Sequence, residues 1–314
     1  MVIGTSAGGV AALRALAAGL PADLPAPVCV VQHIGRHRSE LPALLVRSGP
    51  LPATHAEDGE PLRDGHIYVA PPDYHLIVAT GHLHLSRGPR ENFARPAIDP
   101  LFRSAAEAYG PDAIGVILTG RLNDGTAGLY EIKRRGGIAV VQAPADAEHA
   151  DMPASALAHV EIDHCVPLAE IAPLLTRLAA AAVERPVPQP AKEAVNAMSI
   201  DYALHRPVAL TCPDCGGAIE RQDLGTLTQY RCHIGHSYTA EALVAAQLDG
   251  MESGIATALR LINERIETCR QMAERPGVTN EKTKAAWLAA MQEAEQRVDA
   301  ISELLSAGWM SPEE

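Results

Sequence analysis

Up to about residue 181, short runs rich in Val, Ile and Leu alternate with longer Ala- and Leu-rich amphipathic stretches. Short apolar runs separated by helical periods are the signature of βαβ units, whose strands are buried on both faces of a parallel sheet. Predicted strands cover residues 1–3, 28–32, 66–70, 114–118, 138–142 and 162–166, and predicted helices 9–19, 39–47, 98–109, 126–135 and 168–182. Thr80-Gly81, between His75–Ala79 and His82–Ser86, adds a hairpin with a two-residue turn. The first strand is short, because Met1 leaves two residues before Gly4, and it reads as clipped or as continuing upstream. The expected fold class is therefore α/β, a doubly wound and mostly parallel sheet with helices on both faces.

The 314 residues are enough for about two domains. No apolar run approaches the ~18 residues that a membrane helix needs, and Met1-Val2-Ile3-Gly4 does not begin a secretory signal, so a cytoplasmic protein is expected. With 38 acidic against 26 basic residues and a net charge of -12, no extended nucleic-acid surface is expected. The six cysteines do not form a disulfide framework in so long a chain. Cys29, Cys165 and Cys269 lie within apolar patterns, whereas Cys212, Cys215 and Cys232 cluster.

Three polar residues each stand where a predicted strand runs out: Ser6 in Gly4-Thr5-Ser6-Ala7-Gly8-Gly9, His33 after residues 28–32, and Asp124 after residues 114–118. In an open parallel sheet the carboxyl ends of neighbouring strands face one crevice, where such residues can meet as nucleophile, base and orienting acid. A serine hydroxyl is a weak nucleophile and needs that base. Glycines beside Ser6 let a substrate approach the backbone, and free amides at a helix start can stabilise an oxyanion. Taken singly, His33 would merely end a strand and Asp124 would merely cap a helix. A dinucleotide fingerprint is not met, since Gly4, Gly8 and Gly9 miss the required spacing and no acidic residue follows a second strand near position 25. His75, His82 and His84 lack a sulfur or acidic partner in sequence and are not read as metal ligands.

Residues 1–181 resemble the catalytic domain of the chemotaxis protein-glutamate methylesterases (CheB type). The resemblance rests on Gly4-Thr-Ser-Ala-Gly-Gly9, Val31-Gln-His-Ile34, Ala70-Pro-Pro-Asp-Tyr-His75, Arg95-Pro-Ala-Ile-Asp-Pro-Leu-Phe-Arg-Ser-Ala-Ala106, Leu118-Thr-Gly-Arg-Leu-Asn-Asp-Gly-Thr-Ala-Gly128 and Met152-Pro-Ala-Ser-Ala156, in the family's order. It implies that Ser6 is the nucleophile, His33 the base and Asp124 its orienting acid. It also implies a glutamyl methyl ester on a chemoreceptor-like protein as substrate, glutamine deamidation as a second activity, and no cofactor for catalysis. Where the family commonly has Thr after the nucleophile this chain has Ala7, and in place of Met-Gly-Asp before the acid it has Arg121-Leu122-Asn123. The methionine position is associated with the family's oxyanion hole, a contact that the Arg121 backbone amide would also supply. Arg95 matches a family loop near the site, which implies contact with substrate carboxylates. Chemotaxis members usually carry an N-terminal receiver domain; this chain opens on the catalytic domain, so regulation is expected from elsewhere or not at all.

Glu184-Arg-Pro-Val-Pro-Gln-Pro-Ala-Lys192 favours an extended connector and marks a domain boundary, with the linker running over 182–204. Within the next module, 205–238, Cys212-x2-Cys215 and Cys232-x3-His236 stand sixteen residues apart. Two such pairs can close a tetrahedron around one zinc ion, and four protein ligands without a spare carboxylate make such a site structural. His233 is an alternative fourth ligand, although its adjacency to Cys232 makes a common ion harder to reach. Arg206, Arg221 and Arg231 are balanced by Asp214, Glu220 and Asp223, so the ribbon has no basic stripe for nucleic acid. From 239 to 314 the pattern is helical, interrupted at Pro276-Gly277 and restarted at an Asn280 cap. Leu248, Met251, Ile255, Ala258 and Ile262, and then Trp287, Met291, Ala294, Val298, Ile301 and Leu305, recur at gaps of three and four. That spacing predicts an antiparallel helical hairpin with a narrow coiled-coil seam. Ribbon and hairpin together resemble tails on some receiver-less relatives of the methylesterases.

These readings converge on an α/β serine hydrolase with a zinc-ribbon and helical-hairpin tail. The alternative is a non-catalytic signalling module that keeps the pocket for binding. The hairpin is expected to hold a signalling partner or a second copy of the chain, or else to cover the Ser6 cleft as a lid. Few contacts should cross a proline-rich connector, so removing the metal is expected to unfold the tail and leave residues 1–181 active.

Overall fold

A computed structural model describes residues 1–33, 39–183, 207–275 and 280–306. Most of the proline-spaced linker, Ile34 and the Pro276-Gly277 break lie outside the described residues. Two compact units are present, Met1–Leu243 and Val244–Glu314.

The first unit begins with β1 (Val2–Thr5), α1 (Gly9–Gly19), β2 (Val28–Gln32), α2 (Leu41–Ser48), β3 (Ala53–His55) and β4 (Ile67–Val69). A hairpin of β5 (His75–Ala79) and β6 (His82–Ser86) precedes α3 (Ile98–Tyr109), β7 (Ile114–Ile117) and α4 (Thr126–Arg134). The domain closes with β8 (Ile138–Gln142), α5 (Asp151–His159), β9 (His164–Val166) and α6 (Leu168–Val183). Seven strands make one parallel sheet in the order β3-β4-β2-β1-β7-β8-β9.

Successive side chains along a strand point to opposite faces, so each apolar run serves two cores. Ile3, Val30, Val69, Val116 and Val140 pack with Leu13 and Leu16 of α1, Leu45 of α2 and Leu175 of α6. Val2, Val31, Tyr68, Ile117 and Val141 pack with Phe102 of α3, Leu129 of α4 and Met152 of α5. Because β1 lies between β2 and β7, the loops after β2, β1 and β7 leave one edge of the sheet side by side.

β1 runs on to Thr5, beyond the predicted strand, because Gly4 and Thr5 keep their parallel pairing with Val31 and Gln32. β3 and α5 of the sheet domain have no sequence prediction. β3 is a three-residue Ala-Thr-His segment with no apolar run. α5 carries Pro153 in its first turn, where the missing N–H has no intrahelical partner to lose.

β10 (Pro207–Thr211), β11 (Ala218–Leu224), β12 (Leu227–Cys232) and β13 (Ser237–Thr239) form an antiparallel sheet in chain order. Its small core of Cys212, Ile219, Cys232, Tyr238, Ala242 and Leu243 also takes in Phe93 from the sheet domain. The ribbon thus belongs to the same compact unit as the parallel sheet.

In the second unit α7, which starts at the ribbon and spans Ala240–Glu274, is followed by α8 (Glu281–Ser306) in a helical hairpin. Asn280 Oδ1 caps α8 by accepting the Thr283 amide at 2.9 Å. Buried Ile266, Cys269, Ala273 and Ala294 keep the spacing of three and four, whereas Met251, placed in the stripe by its spacing, is exposed. Among the described residues no helix is long and apolar enough to cross a membrane.

A methyl group on Gly4, in the central strand, would lie 2.3 Å from Ile98 Cγ2. Gly4→Ala is expected to lower the free energy of urea unfolding by about 1–3 kcal/mol through overpacking. The loss should shrink when Ile98 is also cut back to Ala, a non-additivity that a double-mutant cycle reads directly.

Candidate active site

Ser6 is pinned to the end of β1. Its amide donates to Thr119 O at 3.1 Å, and the Thr5 hydroxyl donates to the same carbonyl at 2.7 Å. Gln32 Nε2 donates to Ser6 O at 2.7 Å and to His33 O at 3.0 Å, which ties the ends of β1 and β2 together. Gly8 then turns the chain into α1 with φ +76°, a left-handed value that glycine adopts without a steric penalty. Gly120 closes the floor of the site, because a Cβ there would meet Met152 Sδ at 2.1 Å and Ser6 Cβ at 2.9 Å.

His33 stands between Ser6 and Asp124. Its Nδ1 lies 3.2 Å from Ser6 Oγ and its Nε2 2.7 Å from Asp124 Oδ2. With Asp124 accepting the Nε2–H, the neutral ring turns the Nδ1 lone pair toward the serine hydroxyl, the tautomer a general base requires. The His33 side chain is 21% exposed and that of Asp124 only 2%, so the imidazole is reachable from the crevice and the carboxylate is not.

Four donors satisfy the Asp124 carboxylate. Oδ2 accepts from His33 and from the Ile98 amide at 2.7 Å, and Oδ1 from Asn92 Nδ2 at 3.0 Å and the Asp99 amide at 3.3 Å. Two of these donors are the first amides of α3, so the carboxylate sits at the positive end of that helix. Burial alone would push the Asp124 carboxyl up, but the hydrogen bond and charge of His33, helped by Ile98 and Asn92, hold it below its usual value. Asp99, wholly buried beside it, is pushed well above the carboxylate range by burial and then by the charges of Asp124 and Glu91. Of these two neighbouring carboxyls, Asp124 therefore carries the charge. Sequence reasoning missed both Asn92 and Asp99. Neither falls on an apolar period, and the one available signal was an Asn-Phe pair in an otherwise polar loop.

Ala7 follows Ser6 at the entry to α1, and its carbonyl accepts from the Thr119 hydroxyl at 3.1 Å. Among the described residues, the Ala7, Gly8 and Arg121 amides have no acceptor. Arg121 itself is exposed. Arg95 is engaged: Nε and a terminal nitrogen donate to Asp73 Oδ1 at 3.1 and 2.8 Å, and its other terminal nitrogen donates to Arg87 O and Gly88 O at 3.1 and 2.8 Å. This geometry makes Arg95 a brace of its own loop. His75, buried, is bonded to Pro89 O and the Ala97 amide, while His82 and His84 pair with each other at 2.9 Å.

A second constellation lies in the ribbon. The ligand atoms of Cys212, Cys215, Cys232 and His236 all fall within 4.8 Å of one another, a group that could hold a metal ion. Two tight turns present them, closed by Gly216 N to Cys212 O at 2.8 Å and by Gly235 N to Cys232 O at 2.9 Å. His233 is outside the group, and its ring packs against Gly217, where a Cβ would lie 1.9 Å from it.

A serine, a histidine and a buried carboxylate at the carboxyl ends of adjacent parallel strands define the class: an α/β protein with a serine-hydrolase site. The chain belongs to the CheB methylesterase family, whose model matches residues 1–175. A protein of Leptospira interrogans (serogroup Icterohaemorrhagiae serovar copenhageni, strain Fiocruz L1-130), provisionally named protein-glutamate methylesterase/protein-glutamine glutaminase, is 44% identical over 180 residues, or 57% of this chain and 93% of that protein. Protein-glutamate methylesterase/protein-glutamine glutaminase 2 of Anaeromyxobacter dehalogenans (strain 2CP-C) is 40% identical over 179 residues, 57% of this chain and 52% of its own length. The crystal structure of the Thermotoga maritima CheB methylesterase catalytic domain matches with a TM-score of 0.55 and 34% identity, over 56% of this chain and 96% of that one. The resemblance read from the motifs therefore holds for the sheet domain.

Asp124 has a folded pKa below its unfolded value, so its stabilising effect is present above the ordinary carboxylate pKa of about 4 and is lost as the pH falls through the lower folded value. Asp124→Asn is expected to reduce ester turnover by about 10³–10⁴-fold, because the wrong tautomer of His33 is then favoured. The same variant should lose Asp124's part of the acid-side dependence in urea unfolding followed against pH.

Proposed function

We propose that the chain is a protein-glutamate methylesterase in which Ser6, His33 and Asp124 carry the reaction. The observation that supports this is the hydrogen-bonded series itself, with the His33 lone pair on the serine side and a charged, fully satisfied carboxylate behind it.

Ser6 Oγ attacks the carbonyl carbon of a glutamyl methyl ester while His33 Nδ1 takes its proton. The developing oxyanion is met by backbone amides, for which Ala7, Gly8 and Arg121 are the available donors. Collapse breaks the bond to methoxide, which leaves as methanol with the proton from His33. Water, deprotonated by the same nitrogen, then releases the glutamate carboxylate and restores Ser6. A glutamine side chain follows the same path with ammonia as the leaving group. A methylated protein, chemoreceptor-like in chemistry, is the substrate class that this reaction and the relatives' names support.

For the ribbon we infer a structural zinc. The Cys215–Cys232 sulfur distance is 3.7 Å, and His236 Nδ1 lies 3.6 and 3.4 Å from Cys212 and Cys232 Sγ. A tetrahedron with the usual zinc bond lengths has edges of about 3.8 Å between sulfurs and about 3.6 Å between sulfur and nitrogen. Four protein donors fill such a tetrahedron, which leaves no coordination position for chemistry.

A serine-directed fluorophosphonate should label the chain at Ser6. In Ser6→Ala, labelling should vanish and methanol release from a methyl-esterified glutamyl peptide should fall by about 10⁴-fold or more. An unlabelled wild-type chain that releases no methanol would overturn the hydrolase reading. Metal analysis of protein purified without chelator is expected to return one zinc per chain and none from Cys215→Ser, since loss of one thiolate opens the tetrahedron.

A further inference from the structure

The loop from Arg90 to Phe93 joins the two constellations. Asn92 N donates to Ser237 O at 2.8 Å and Ser237 N to Arg90 O at 3.4 Å, so the loop lies along the edge of β13 in a parallel bridge between Glu91 and Ser237. Phe93 leaves the sheet domain and stacks on Tyr238 with ring centroids 4.8 Å apart. The Tyr238 hydroxyl lies 3.1 Å from Sγ of Cys212, one of the metal-binding cysteines.

Asn92 faces both ways. Its Nδ2 donates to Asp124 Oδ1 at 3.0 Å and to Asp99 Oδ2 at 3.1 Å, while its Oδ1 accepts the Thr239 amide at 3.1 Å. Thr239 is gripped a second time, its hydroxyl donating to Asn123 Oδ1 at 2.6 Å, and Asn123 Nδ2 donates to Glu241 Oε2 at 2.5 Å. An aspartate at 123 would set a carboxylate against Glu241, whereas the asparagine supplies the N–H that this position needs.

The loop holds this shape against its own backbone preference. Asn92 and Phe93 have φ of 48° and 60°, left-handed values that are costly for a bulky residue such as Phe93. Residues 91–94 form a tight turn closed by Ala94 N to Glu91 O at 2.9 Å and held to α3 by Arg103 on Glu91, and β13 and the ribbon core support its outer side. That core is small, and a ribbon of this size relies on its metal to stay folded.

We propose that Asn92 is a positioning residue for Asp124, and that the metal-loaded ribbon is what keeps it in place. The inference rests on the hydrolase and zinc readings above. Losing the metal frees Phe93 from Tyr238 and takes Ser237 and Thr239 from Asn92, so the turn loses the contacts that aim the Asn92 amide at Asp124. His33 then loses its fixed orientation toward Ser6. Metal removal should accordingly slow the hydrolase as well as unfold the tail.

The test uses the full chain and two readouts, methanol release and the rate of fluorophosphonate labelling at Ser6. Stripping zinc with a chelator should lower kcat and the labelling rate by about 10–100-fold with KM little changed, the range for loss of a supporting hydrogen bond at a site. Adding zinc back should restore labelling in proportion to occupancy, a readout that needs no variant to fold. Asn92→Ala, zinc-loaded, should show a similar loss, and chelation should then slow it by no more than about threefold, because both changes break the same link. Equal chelation losses in wild type and variant would overturn the role of Asn92. An unchanged labelling rate in zinc-free protein would overturn the coupling and leave the hydrolase reading standing. No labelling of the zinc-loaded wild type would remove both.

Discussion

The carboxylate of Asp124 is buried and charged, and the surrounding structure is organised by that need. An ionised group taken out of water must find donors for its oxygens or else neutralise. Here the donors come from three separate parts of the chain: the imidazole after β2, the first amides of α3 and the side chain of Asn92. Each donor also fixes something else. The imidazole is held in the tautomer that can accept a proton from Ser6, α3 is docked by its N-terminus beneath the sheet edge, and the loop before α3 is drawn against the ribbon. Asp99 is the counterpart, a carboxyl that the same neighbourhood forces to stay neutral. Asp124, with four donors on its carboxylate, is thus the charged acceptor, and Asp99, which accepts from Asn92 and the Gly128 amide, is its neutral neighbour.

The parallel sheet and the positions of Ser6, His33 and Asp124 at strand ends could be read from the chain because period and strand termination are local properties of sequence. What holds Asp124 could not. Asn92 and Asp99 act through contacts made only when α3 swings beneath the sheet, and no spacing rule links position 92 to position 124. Arg95 illustrates another limit: its resemblance to a family loop implied contact with substrate carboxylates, and no spacing in the sequence indicated that Asp73 and two backbone carbonyls engage its guanidinium. The grouping of Cys212, Cys215, Cys232 and His236 was legible in their paired spacing, while the docking of the ribbon was hidden by the proline-rich connector. One clue lay in composition: Phe93 is one of only two phenylalanines in the chain, and it stands in a polar loop.

The departures at 121–123 also acquire a local reason. Leu122 adopts φ 61° in the turn leading to Asp124, and Asn123 faces Thr239 and Glu241 at the start of α7. The residues preceding the acid are shaped by the ribbon next to them as much as by the reaction beside them. Arg121, two residues before Asn123, is exposed.

The first unit therefore has less modularity than its sequence suggests. A cut through the 182–204 linker would separate the segments neatly on paper, but it would bare an aromatic ring at 93 and strand the polar atoms of Asn92 and Asn123 that now meet Thr239 and Glu241. A fragment ending there is a different molecule from the same residues within the full chain. In the same way, a ribbon moved to another scaffold would need a host that offers it an asparagine pair and an aromatic anchor.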